Sequence, residues 1–295
     1  MFKTNNEPKD LFLSGSIGYT FLNDNNKKIL ILSDMHSKMP YCNNGMFISE
    51  WLKTKKTSKV LLEEVPRLGS KLKELWPSSP HTQKLKEMYL NNSTVINGVD
   101  IRPFLIPYSW ELIFEKYELP DINLKEYLEY IDNFFQLKHN FFINDLKLVY
   151  TKNFLDNSKL GEHFFKMRNN VEEYVKENKN VLGKKVKILI NTNNPIIFEK
   201  INDIISNIME WYIIAKIFNE NTNNNFIVHA GLLHTSNINK LLLTHYKFKL
   251  TNFDGIYSID DVNKENTKGC LILPTVIDKQ LGGYLSGYLK KLKIL

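Results

Sequence analysis

Three short apolar runs constrain the fold of this chain most strongly, because polar residues of catalytic type follow each of them directly. The first run, ILIL at 29–32, continues directly into Ser33 and Asp34. The second, VLLEEV at 60–65, ends on two adjacent glutamates, and the third, FIVHA at 226–230, contains a histidine. Apolar runs of this length are typical of buried strands. They predict a sheet whose strand ends hold a functional site.

Much of the remaining sequence has apolar residues at helical spacing. From about 108 to 219 the apolar residues recur at spacings near 3.6, which predicts a mostly helical middle segment. Shorter helices are predicted at about 44–55, 80–90 and 236–245, and further strands at 11–22, 28–33, 95–103, 247–253 and 270–276. Since no segment has the composition of a linker, we expect one α/β domain over 1–295 with a helical insertion at about 108–219.

The charge of the chain does not indicate a nucleic-acid-binding protein. The formal net charge is +7, but the basic residues are scattered among acids, so no specific nucleic-acid binding is expected. Nearly all of them are lysines, and arginine occurs only at Arg67, Arg102 and Arg168. This Lys- and Asn-rich composition indicates an AT-rich genome, such as that of a large DNA virus, an intracellular bacterium or a protist.

The compartment is predicted from what the sequence lacks. It contains no apolar run long enough to span a bilayer and no secretion signal, so we expect an intracellular, cytoplasmic protein without a membrane span. Cys42 and Cys270 are the only cysteines. They give no support to a disulfide framework and cannot build a zinc site by themselves. The sequence gives no indication of the oligomeric state.

Polar residues suited to metal binding follow four of the predicted strands. They are Asp34 and His36, then Glu63 and Glu64, then Asp100 and Arg102, and finally His229 with the turn from Gly231 to His234. Strand ends meet at one edge of an open α/β sheet. Imidazoles and carboxylates together suit a divalent ion bound through nitrogen and oxygen, such as Mn, Co, Zn or Fe. The sequence therefore predicts a metal site at this edge.

Two of these segments share a pattern. Ser33 to His36 and Gly231 to His234 both consist of a small residue, two further residues and a histidine, after an apolar strand. A small residue allows the chain to turn sharply where the strand ends. The pattern predicts a pair of related half-sites that face each other.

In the order of its motifs the chain resembles the TraB/Tiki/ChaN/erythromycin-esterase-like superfamily. The early motif is SDMH at 33–36, followed by the glutamate strand VLLEEV, a helix with the Arg168-Asn169 pair, and the late turn VHAGLLH at 228–234. Order and rough spacing agree over about 29–245. The chain departs from the family pattern at Ser33 and Asp34, where glycine and glutamate are usual.

The resemblance implies a central mixed β-sheet flanked by helices and built from two pseudo-symmetric halves. Tiki-like members imply metal-dependent peptide hydrolysis. ChaN-like members bind haem-type iron instead, and erythromycin esterases open lactones without a clear need for metal. Because one fold supports all of these activities, the fold alone does not decide between them.

The leading hypothesis is a metal-dependent hydrolase that acts on a peptide or a small ester. The predicted metal ligands are His36, Glu63 and His234, and the predicted catalytic residues are Asp34, Glu64, Arg102 and Arg168. The predicted lining residues are Ser33, Asp100, Asn169, His229 and Gly231. Adjacent strand residues face opposite sides, so only one of Glu63 and Glu64 should enter the site, and Glu63 is preferred.

Two alternatives stay open. The segment ILILSDMH also matches the opening of calcineurin-like metallophosphoesterases, although NGVD at 97–100 and GLLH at 231–234 match the later motifs of that family poorly. The second alternative is a binding or host-interaction module that kept the fold and lost catalysis. Failure of Asp34, His36, Glu63 and His234 to converge would favour this module, whereas their convergence with an arginine on one rim would favour an enzyme.

Overall fold

The protein is described here by a computed structural model. It describes residues 10–35, 42, 45–66, 80–91, 96–105, 121–138, 146, 155–192, 195–221, 224–262 and 270–282. The chain forms two compact units. The first contains Met1–Glu64, Pro77–Gly98 and Asn221–Leu295, and the second contains Val65–Trp76 and Val99–Glu220.

The strands all belong to the first unit. They are β1 (Leu11–Ser14), β2 (Gly18–Asn23), β3 (Lys28–Asp34), β4 (Met46–Phe47), β5 (Lys59–Leu62), β6 (Ile96–Gly98), β7 (Asn225–Gly231), β8 (Lys249–Gly255) and β9 (Cys270–Leu273). Within the described residues the main sheet has the order β6-β5-β7-β3-β2-β8, and a small sheet has the order β4-β1-β9. In the main sheet β6, β5, β7 and β3 are parallel, whereas β2 is antiparallel to β3 and to β8.

The helices follow in chain order. They are α1 (Ile48–Leu52), α2 (Pro80–Asn91), α3 (Arg102–Leu105), α4 (Leu124–Phe135), α5 (Lys159–Glu177), α6 (Val186–Asn191), α7 (Pro195–Asn219), α8 (Leu232–Thr244) and α9 (Thr275–Gln280). In the first unit α8 packs on β3 and β7, and α2 packs on β6. A mixed β-sheet flanked by helices is thereby confirmed as the architecture. In the described chain no helix combines the length and the apolar character needed to cross a membrane.

The apolar runs fold as buried parallel strands because both faces of these strands are covered. The side chains of β3 from Leu30 to Leu32 and of β7 from Phe226 to Val228 are fully buried. Each such residue contributes about 1.5–3 kcal/mol through its removal from water. The register pairs Ile31 with Val228 and Asp34 with Gly231. The two strands therefore end together, which brings their polar ends to one edge.

Several predicted elements are wrong in their extent. The predicted helix 44–55 is the short strand β4 followed by α1, which ends at Leu52, and the predicted strand 95–103 ends at Gly98. The predicted strand 11–22 is two strands in different sheets, because the chain turns at Gly15, whose φ is +100°. The predicted strand 270–276 ends at Leu273, and α9 begins after Pro274. The predicted helix 236–245 begins four residues earlier, at Leu232, so it contains His234.

The second unit is held together by an apolar long helix. α7 has 25 residues, and its residues from Trp211 to Ala215 are all buried. The Trp211 ring packs against Phe134 and Phe164, while its indole N–H donates to the Leu160 carbonyl at 2.9 Å. The expected helical insertion, 108–219, falls within the sequence of this unit.

The small sheet carries a covalent link that the sequence did not support. Cys42 and Cys270 form a disulfide, although 228 residues separate them in sequence. The pairing of β9 with β1 brings them together, because it places Cys270 opposite Ser14, whose hydroxyl accepts the Cys42 N–H at 3.2 Å. The spacing of the two cysteines in the sequence does not predict this arrangement.

Candidate functional site

Glu63 is the residue around which the strand ends are organised. It follows β5 directly, and its N–H donates to the His229 carbonyl at 3.0 Å, which continues the ladder towards β7. Its carboxylate then accepts the Gly231 N–H through Oε2 at 2.6 Å. Gly231 is the N-cap residue of α8 and has no side chain that could cap the helix. The carboxylate therefore acts as the capping group, in a position where the helix dipole favours negative charge.

His234 lies in the first turn of α8, beside the same carboxylate. Its Nε2 is 3.5 Å from Glu63 Oε1. The His234 side chain is 7% exposed and the Glu63 side chain is 10% exposed, so the contact is mostly shielded from water while still reachable from it. An imidazole oriented by a carboxylate is one arrangement that hydrolases use for proton transfer.

A pair of hydroxyls fixes the first turn of α8 to β3. Ser33 Oγ and Thr235 Oγ1 are 2.8 Å apart in a buried contact. Thr235 also donates towards the Leu232 carbonyl within its own helix, at 3.1 Å. This contact holds the residue next to His234 in place, so it restricts how far His234 can move from Glu63. Sequence reasoning missed Thr235, because its only signal is its position next to the predicted histidine.

Asp34 and His229 lie in different rows of the sheet. Asp34 is the last residue of β3, is 1% exposed, and pairs in register with Gly231. His229 lies inside β7 with 4% exposure, opposite Leu62 in register. The structure therefore brings Asp34 to the row where the site lies, and sets His229 among the strands that support it.

The structure distinguishes Glu63 from Glu64 by the contacts of their side chains and backbones. The Glu63 carboxylate contacts both Gly231 and His234. Glu64 is half-buried, and its N–H turns back to the Leu62 carbonyl at 2.7 Å. Glu63 is therefore the glutamate that reaches the histidine.

Four other predicted residues belong to the second unit, namely Asp100, Arg102, Arg168 and Asn169. Arg102 donates through Nε to Asp100 Oδ1 at 2.8 Å and through a terminal nitrogen to Asp100 Oδ2 at 2.9 Å. This bidentate pair occupies much of the fork that was expected to hold a substrate carboxylate. Arg168 is half-exposed on α5 and pairs with Glu172 at 3.2 Å, and Asn169 beside it is exposed. Their expected roles at the site stay predictions.

A second polar cluster in the first unit was not predicted. The Asp278 carboxylate accepts the Trp51 indole N–H at 2.7 Å and forms a buried ion pair with Lys55. The Lys55 ammonium also lies over the Trp51 ring, 4.5 Å from its centroid. Burial lowers the pKa of Lys55, and the contact with Asp278 opposes this shift only in part. The sequence around Lys55 gives no signal for the cluster.

A protein metal site needs several donor side chains grouped around one point. Within the ranges that the structure describes, no three His, Cys, Asp or Glu side chains are grouped so that they could hold a metal. Glu63 and His234 supply the oxygen and nitrogen donors that a borderline divalent ion prefers. The third expected ligand, His36, lies outside the described residues. The described pair is thus complete as an acid–base pair and incomplete as a metal site.

Comparisons with protein-family models, with curated proteins and with solved structures found no match for this chain.

Proposed function

We propose that the sheet edge around Glu63 and His234 is the active site of a hydrolase that cleaves a peptide or a small ester. The observation that carries the proposal is the shielded carboxylate–imidazole contact of 3.5 Å at the carboxyl ends of parallel strands. In open α/β sheets this edge is where ligands bind.

In the proposed mechanism His234 acts as the general base. It accepts a proton from the water that attacks the substrate carbonyl, and it returns the proton to the leaving group. Glu63 orients the ring and stabilises the imidazolium while the proton is on it. The bond from Gly231 to Glu63 Oε2 keeps the carboxylate in place during both steps.

A metal-dependent form of the same proposal places Glu63 and His234, with His36, as ligands. A divalent ion would lower the pKa of a bound water and polarise the carbonyl. In this form Asp34, at the end of the adjacent strand, is the candidate base. The two forms make different predictions about metal content, so they can be separated by measurement.

The test is an ester and peptide hydrolysis screen on wild type, His234→Ala and His245→Ala. His245 is the C-cap residue at the other end of the same helix, and its ring packs edge-to-face against Tyr246, so its variant controls for the loss of an imidazole beside α8. We expect His234→Ala to lose activity by about 100-fold or more, while His245→Ala keeps it. Equal rates in wild type and His234→Ala would contradict the proposal.

Metal content separates the two forms. Elemental mass spectrometry on untagged protein gives the metal per chain for the same three proteins. Activity without bound metal, unchanged by a chelator, supports the general-base form. Near-stoichiometric metal that is lost in His234→Ala and kept in His245→Ala supports the metal-dependent form.

A further inference from the structure

Cys42 and Cys270 are linked at the end of the small sheet. Their Cα atoms are 4.9 Å apart, within the range in which cysteines are usually bridged. Cys270 is the first residue of β9, and Cys42 lies shortly before β4. The bond therefore links β9, one outer strand of the sheet β4-β1-β9, to the chain just before β4, the other outer strand.

Hydrogen bonds hold both cysteines in place independently of the sulfur–sulfur bond. Cys270 pairs with Ser14 in the β1–β9 register, and the Cys42 N–H donates to Ser14 Oγ. The Cys42 carbonyl in turn accepts the Gly45 N–H at 3.1 Å. Because Ser14 contacts both cysteines, their thiols stay close together after reduction. This arrangement favours closing the bond again.

The strand that carries Cys270 has other anchors. Four residues of β9 pair with β1, and Asp278 in the following helix α9 is bonded to Trp51 and Lys55. Ser58 Oγ also donates to the Leu281 carbonyl at 2.7 Å. Reduction would remove one covalent link and leave these contacts, so the reduced chain keeps its fold.

Both cysteines are half-buried, so neither residue is enclosed in the core. Labile and regulatory disulfides are found among those that solvent can reach, whereas structural disulfides resist reduction. We propose that Cys42 and Cys270 form a reversible thiol–disulfide couple that sets the stability of the small sheet according to the redox state of its surroundings. This proposal is independent of the hydrolase proposal.

The chemistry is a two-electron exchange with a thiol reductant such as glutathione. A glutathione thiolate attacks one protein sulfur, and the other cysteine leaves as a thiolate that takes up a proton. A second glutathione then attacks the mixed disulfide and releases the first cysteine. The protein gains two electrons and two protons, and the two glutathiones become one glutathione disulfide.

The test uses the full chain in a series of glutathione buffers from fully reduced to fully oxidised. One portion of each sample is quenched with acid, labelled with N-ethylmaleimide and measured by intact mass. The melting temperature is recorded on a second, untreated portion. We expect one transition between a doubly labelled and an unlabelled monomer. The unlabelled form should melt roughly 5–10 °C higher, because the link closes a very long loop.

The C42S/C270S double variant is the matched control. It should fold, melt with the reduced wild type and ignore the buffer. The proposal is wrong if both thiols label in every buffer, if glutathione adducts or linked dimers replace the internal bond, or if the two forms melt alike. It is also wrong if reduced wild type and the double variant are both unfolded, since the bond would then be a permanent structural link.

Discussion

Two acid–base pairs of the first unit have similar composition and different surroundings. At the sheet edge, Glu63 accepts a backbone N–H from Gly231 and lies beside His234. Between α1 and α9, Asp278 accepts the indole N–H of Trp51 and pairs with Lys55. Each carboxylate thus has one N–H donor and one basic partner. Their composition alone does not say which pair is functional.

Exposure and position distinguish the two pairs. The Lys55 and Asp278 side chains are 0% exposed, so no substrate can reach them without unfolding. His234 and Glu63 retain 7% and 10% exposure at the end of parallel strands, where ligands bind in folds of this class. The comparison separates a pair enclosed in the interior, Lys55 with Asp278, from a pair that retains some exposure at the strand ends, His234 with Glu63.

The largest expected effect comes from breaking the inaccessible pair. Lys55→Met leaves the Asp278 carboxylate buried with only the Trp51 N–H, and we expect a loss of about 3–5 kcal/mol in the free energy of unfolding. Replacing both partners, in Lys55→Met with Asp278→Leu, removes the unpaired charge and should recover most of this loss. Urea denaturation followed by circular dichroism measures both.

Lys53 provides the control for this experiment. It forms an exposed pair with Glu50, with both side chains about half exposed, so Lys53→Met should change stability by less than about 0.5 kcal/mol. A similar small change in Lys55→Met would show that the buried pair contributes little, and the distinction between the two clusters would fail.

The second effect concerns the capping carboxylate at the sheet edge. Glu63→Ala leaves the Gly231 N–H without its acceptor, and we expect a loss of about 1–3 kcal/mol in stability. Glu63→Gln keeps an oxygen acceptor, so its loss should be smaller, while its hydrolytic activity should fall because an amide does not stabilise an imidazolium. Glu64→Gln is the matched control. If Glu64→Gln lowers activity more than Glu63→Gln, Glu63 is not the functional glutamate.

The strand framework was predictable because the information is local. The runs around Leu30 to Leu32 and Phe226 to Val228 are short and apolar, which is typical of buried strands. Their parallel pairing then brings Asp34 and Gly231 to one edge. The expectation that Glu63 and His234 belong to a shared site rests on this same reasoning.

The features that sequence reasoning missed depend on contacts between distant residues. The start of α8 was placed too late, because its cap comes from Glu63 on another strand and Gly231 itself offers no capping side chain. The disulfide and the Lys55–Asp278 pair join residues more than 200 positions apart. No periodicity or local motif marks such pairs, since only the tertiary fold creates them.

A smaller effect tests how His234 is positioned. A double-mutant cycle with Ser33→Ala and Thr235→Val measures the coupling between the two hydroxyls, which we expect to be about 1 kcal/mol in stability. The same variants should lower the hydrolysis rate while Glu63 and His234 remain, because the first turn of α8 loses its bond to β3. A coupling near zero would show that the hydroxyl contact does not hold the turn.

The smallest effect is a dependence of stability on pH that belongs to the inaccessible pair alone. Burial lowers the pKa of Lys55 in the folded chain, whereas in the unfolded chain a lysine titrates near 10.5. Between the folded pKa and 10.5 the Lys55 side chain binds more protons in the unfolded state than in the folded state. The contribution of Lys55 to the free energy of unfolding therefore rises with pH towards 10.5 and is lost as pH falls to the folded pKa. Urea denaturation of wild type and of the double variant Lys55→Met with Asp278→Leu across this range isolates the term. Wild type should show the steeper rise, and parallel curves would mean that Lys55 keeps its proton in the folded chain despite its burial.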